Sequence, residues 1–86
     1  MKVRILGKNW NLRFTPLSGN QGGDCDAPHI PGKTIRVNSK LSGEKLLETI
    51  LHECRHAADW GQSEEYVTEE ARDIARILWR LGYRRQ

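Results

Sequence analysis

The sequence predicts a small α+β domain: a sheet of two to three strands, antiparallel or mixed, packed on a helix carrying a His-Glu-x-x-His pattern, with a second helix returning antiparallel beside it. Three observations predict it. Apolar and polar residues alternate over short runs before Asn38, apolar residues recur at helical spacing after Ser42, and a Gly/Pro/Asp-rich stretch interrupts the alternating part.

A chain of 86 residues buries too little surface for separate cores, so residues 1–86 read as one domain. Only 37% of residues are hydrophobic and 29% are charged, which predicts a thin core that a bound metal would help to stabilise.

Lys2 to Leu6 and Trp10 to Leu17 alternate, and Gly7-Lys8-Asn9 between them supplies turn chemistry, predicting a β-hairpin. Residues 18–32, rich in glycine, proline and aspartate, predict a long surface loop that continues neither strand nor helix. Lys33 to Asn38 alternates again and is β-branched, predicting a short third strand.

Ser42 is placed to cap a helix whose apolar residues Leu46, Leu47, Ile50, Leu51, Cys54, Ala57 and Ala58 run toward Gly61. Ser63, followed by Glu64 and Glu65 at the positive end of the helix dipole, opens a second helix. Its apolar row Val67, Ala71, Ile74, Leu78 and Leu81 stops at Gly82.

His52-Glu53-Cys54-Arg55-His56 lies on the first of these helices. At about 3.6 residues per turn, histidines four apart project from one face toward one point and can share a zinc ion. Both lie roughly opposite the Ile50/Cys54/Ala57 stripe, so they are expected to look away from the packed side. Glu53 leans toward the same site without being placed as a ligand. That suits a carboxylate that takes a proton from a metal-activated water and passes it to the leaving amine.

A catalytic zinc needs a third protein ligand and an open position. With Val67 at the centre of the second helix's apolar face, Glu64 and Glu70 fall roughly 60° to either side, whereas Glu65 and Glu69 fall near the opposite face. Glu64 has the better local pattern and Glu70 the better axial level, with Glu65, Glu69 and Asp59 as further candidates. Asp59 suits a supporting polar contact better than ligation. Asp73 is expected either to orient an imidazole or to pair with Arg76 or Arg80.

The formal charge of +3 is unevenly placed: Glu64, Glu65, Glu69 and Glu70 precede a basic end at Arg80, Arg84 and Arg85. Such a split usually makes a solvated surface, and a nucleic-acid contact is the lesser expectation. Cys25 and Cys54 are too few for a disulfide framework and read as free thiols. The N-terminal residues lack the apolar core of a secretory signal and no stretch reaches the length of a membrane span, so a cytoplasmic protein is expected.

The hairpin, the strand Thr34-Ile35-Arg36-Val37, the helix segment LETILHECRHAAD and the acidic second helix together resemble the minigluzincins and related phage-type zincins over Gly23 to Tyr83. The resemblance implies that the second helix carries the third ligand, four residues before a supporting polar group. Glu64 and Thr68 fit that spacing, as do Glu69 and Asp73. It implies an edge strand above the active helix that receives an extended peptide, with residues 34–38 as its counterpart and the site opening between that strand and the helix. The chain lacks the second subdomain that in larger relatives supplies a transition-state-stabilising Tyr or His, leaving Tyr66, Tyr83 and His29 as candidates. Cys25, if its thiolate reached the metal, would hold the enzyme latent; a buried loop cysteine is the simpler expectation.

The expected function is therefore zinc-dependent endopeptidase cleavage of protein or peptide substrates, with His52, His56 and Glu64 on the metal and Glu53 as general base and then acid. The alternative is a catalytically weak or inactive zinc-stabilised binding module, touching nucleic acid through its basic C-terminus. Substrate identity and oligomeric state are not legible in the sequence.

Overall fold

The computed structural model describes residues 1–85. The elements run β1 (Lys2–Ile5), β2 (Lys8–Thr15), β3 (Gly23–Cys25), β4 (Thr34–Asn38), α1 (Gly43–Ala58) and α2 (Glu64–Arg80). One mixed sheet has the order β1-β2-β4-β3. It therefore has four strands, where two to three were expected.

The β1–β2 hairpin turns on Leu6 and Gly7, both at positive φ (49° and 78°), and Ile5 pairs with Lys8. The turn is thus two residues long, shorter than the Gly7-Lys8-Asn9 turn expected. Paired positive φ values match the right-handed strand twist, and Gly7 meets that demand without a Cβ clash. Asn9 is pulled into the ladder opposite Arg4.

β2 and β4 pair in parallel, Leu12 with Ile35 and Phe14 with Val37. The long connection between them supplies the strand that alternation does not reveal, β3, which pairs antiparallel with β4 inside the segment expected to be loop. Gly-Asp-Cys has little strand propensity. Its place is held from across the ladder, where Arg36 donates to Asp24 at 2.9 Å and to Asp26 at 3.0 Å. The Arg36 hydrogen bonds hold the Asp26 carboxyl below its usual range, with help from the Thr34 amide. A carboxyl with a lowered folded-state pKa adds stability above its unfolded value, and the gain is lost as pH falls through the folded value. Asp26→Asn is accordingly expected to be less stable than wild type by about 1 kcal/mol at pH 7. The difference should close in urea melts below about pH 4.

β4 is consequently an interior strand, and the expectation that residues 34–38 form the exposed edge is corrected. Both its neighbours are paired, and Ile35 and Val37 are fully buried with Trp10 in the sheet's core. The edge strands are β1 and β3, and the edge next to β4 belongs to β3. Asn38 N–H donates to Gly22 O, and Asp26 N–H donates to Thr34 O. By antiparallel alternation the main-chain groups of Gly23 and Cys25 then face away from β4.

The core lies between the sheet and α1, with Leu46, Ile50 and Cys54 packed against Trp10, Leu12, Ile35 and Val37. Ser42 holds the N-cap position of α1 without a side-chain cap, whereas Ser63 caps α2 by accepting from Tyr66 N–H at 3.2 Å. α2 runs antiparallel to α1: Glu64 meets His56, Glu70 meets Arg55, and Arg76 approaches Glu44. Its small residues Ala71 and Ala75, buried with Val67, permit the close approach. Among the described residues no helix is long and apolar enough to cross a membrane.

Candidate metal centre

The most buried line on α1 is Thr49, Glu53 and Ala57, one turn apart. That line faces β3, and it rotates His52 and His56 toward α2 rather than to solvent. Their side chains keep only 19% and 16% exposure, which corrects the expectation of outward-looking histidines.

The α1–α2 connection is tight. Gln62 N–H donates to Asp59 O, Ser63 N–H donates to the Gln62 side chain, and α2 begins at the next residue. Glu64 is therefore swung over the end of α1. One carboxylate oxygen lies 2.9 Å from His52 Nε2 and the other 2.8 Å from His56 Nε2. The two Nε2 atoms are 3.1 Å apart.

These three side chains could hold a divalent ion: their donor atoms all lie within 4.8 Å of one another. A carboxylate oxygen opposite each ring nitrogen asks both nitrogens to carry hydrogen, yet two N–H donors cannot comfortably face each other at 3.1 Å. Ligands at about 2.0–2.1 Å in a tetrahedron stand about 3.3 Å apart, close to this spacing. The donor set thus suits one small cation better than a metal-free hydrogen-bonded trio.

The other acidic candidates are engaged elsewhere or point outward. Glu70 accepts from Arg55 Nε, and Asp59 is 3.6 Å from the same guanidinium. Glu65 and Glu69 are exposed, as Glu64 is, but among the described residues neither contacts His52 or His56. Asp73 is also exposed and, among the described residues, pairs with neither histidine nor with Arg76 or Arg80. Thr68 forms no hydrogen bond to Glu64 among the described residues.

Glu53 is 8% exposed and adjoins the three donors without joining them. Burial raises its pKa to about 7, with further repulsion from Asp24 and Glu64. A carboxyl poised there can both accept and return a proton near neutrality. Gly23 of β3 rests directly on it: a Cβ there would stand 3.0 Å from Glu53 Cγ and 2.7 Å from Arg36 O.

Two depressions flank this point beside β3. One, of ≈ 390 Å³, is lined by Cys25, Glu53, His56, Trp60 and Glu64. The other, of ≈ 250 Å³, includes Gly22, Gly23, Thr49, His52 and Glu53. The trough therefore opens along β3, not along residues 34–38 as expected. Trp60 and Asp24 escaped the sequence reading because each acquires its place only through the α1–α2 turn or the β3–β4 pairing. Tyr66, Tyr83 and His29 are all exposed, and none lines the trough.

Cys25 sits on β3 rather than in a loop. Its thiol donates to the Asp26 carbonyl at 3.4 Å, and burial, followed by Glu53, pushes its pKa up to about 12. The thiol stands outside the donor trio. Cys54 is likewise a free thiol. Compared with protein-family models, with curated proteins and with solved structures, the chain matches none.

Proposed function

We propose that this chain is a zinc-dependent endopeptidase of the kind its sequence resembles, the minigluzincin-like zincins, with His52, His56 and Glu64 as the metal ligands. The single observation that carries the reading is the convergence of those three donors beside a buried carboxyl, Glu53, on the wall of an open trough.

When bound, zinc supplies Lewis acidity that polarises the scissile carbonyl and acidifies a water. Glu53, buried beside the three donors, accepts the proton of the attacking water and returns it to the departing amine. Glu64 lends negative charge from the first turn of α2, where the helix dipole steadies the carboxylate. The outward main-chain groups of Gly23 and Cys25 hold an extended peptide by strand addition, a mode that reads backbone rather than sequence.

Zinc content measured beside cleavage of an unstructured protein tests the assignment. Near-stoichiometric zinc is expected in wild type and in Glu70→Ala, and its loss in His52→Ala and Glu64→Ala. Cleavage should follow the metal. Wild-type protein that takes up no zinc even on reconstitution would remove the metalloenzyme reading; zinc without any cleavage would leave a zinc-stabilised binding module.

A further inference from the structure

One side of α2 carries an apolar strip that is largely exposed among the described residues. Ile74, Ile77 and Leu81 are 41%, 58% and 68% exposed, and they fall on one face of the helix. The strip continues into a shallow, almost wholly apolar depression between the helices, bounded by Leu51 and Ala58 of α1 and by Ala71 and Ile74 of α2. Contiguous apolar surface of this kind marks a contact site more often than a random exposure does.

The charges beside the strip identify what fits it. α2 is acidic toward its start, at Glu69, Glu70 and Asp73, and basic toward its end, at Arg80. Asp73 and Arg80 are both exposed, flank the strip on the same side and lie two turns apart, beyond each other's reach along one helix. Neither has a partner among the described residues. A surface whose acidic and basic ends are related by reversal is complementary to itself under a two-fold rotation.

We propose that the chain forms an isologous dimer through α2, with the two copies of the helix antiparallel about an axis between Arg76 and Ile77. In that register Ile77 meets Ile77 of the second copy. Ile74 inserts between Ile77 and Leu81 across the axis, and Asp73 faces Arg80 of the second copy on each side. The two helical hairpins then form a four-helix layer with the sheets outermost. The axis lies about 19 Å along α2 from Glu64, so the metal centre and its trough stay open. The inference stands independently of the peptidase reading.

Sedimentation velocity of the full chain over about 10 µM to 1 mM, a range that resolves weak association, is the test. Wild type should move from the 9.9 kDa monomer toward twice that mass. Ile77→Lys, at an exposed position where folding is not at stake, should hold the chain monomeric with an unchanged circular dichroism spectrum. Asp73→Arg and Arg80→Asp should each weaken dimerisation about tenfold or more, and the double reversal should restore it to within about threefold. Wild type that stays monomeric throughout, or a dimer indifferent to Ile77→Lys, overturns the interface. A dimer that the double reversal does not rescue overturns the antiparallel register.

Discussion

Glu53→Gln is expected to reduce peptide cleavage by about 10²–10⁴-fold, the usual worth of a positioned general base, while zinc content stays at the wild-type level. The amide keeps the volume and the burial of the side chain but cannot accept and return a proton. The same substitution is expected to stabilise the metal-free protein at alkaline pH. A carboxyl whose folded pKa is raised, here from 4.5 to about 7, gives stability that is complete below its unfolded value and declines as pH rises through the folded one. Above about pH 8 the wild-type chain carries a buried charge that the amide lacks, at a cost of at most about 3 kcal/mol. Urea melts of chelated protein at pH 5 and pH 8 measure this. The separation between wild type and the Glu53→Gln variant should be small at pH 5, just above the unfolded value, and several-fold larger at pH 8. Undiminished cleavage by Glu53→Gln would remove Glu53 from the chemistry, and equal stability at both pH values would place its carboxyl in a wetter environment than its burial implies.

Gly23→Ala is expected to destabilise the fold by about 1–3 kcal/mol, the range for forcing atoms into a filled site. The added Cβ would stand 2.7 Å from Arg36 O, 3.0 Å from Glu53 Cγ and 3.2 Å from Thr49 Cγ2. Arg36 O is main chain and Thr49 is buried, so neither can yield cheaply. β3 must lift from α1, which widens the trough and disturbs Glu53 at once. Thermal melts and cleavage should both suffer, with zinc content less affected because His52, His56 and Glu64 are held by α1 and α2 alone. Gly61→Ala is the control: its Cβ would meet nothing within 4 Å, and a change of no more than about 0.5 kcal/mol is expected. Equal effects at the two positions would mean that β3 does not rest tightly on α1.

Periodicity made the two helices, the hairpin and β4 legible, because one-sided burial writes itself into sequence at spacings of about 3.6 or 2 residues. It could not reveal β3. That strand is three residues long, contains a glycine and is held by Arg36 from the neighbouring strand, so its signal is not local. Missing β3 also made β4 look like an edge, and the expected mouth of the trough moved with it.

The candidate site shows the same division. His52, Glu53 and His56 lie within five consecutive residues, where helix geometry alone fixes their relation. Glu64 and Glu70 were equivalent to a helical wheel, since each stood roughly 60° from Val67. The turn after Asp59 brings the first turn of α2, with Glu64, over the histidines, while Arg55 engages Glu70. By itself the sequence determined the two helices, the hairpin, β4 and the His-Glu-x-x-His pair of potential ligands, because those depend on residues close in the chain. Only the tertiary structure decided the sheet order, the edge beside the site, the burial of Glu53 and the nearness of Glu64 to the histidines, because each depends on which distant surface packs against it.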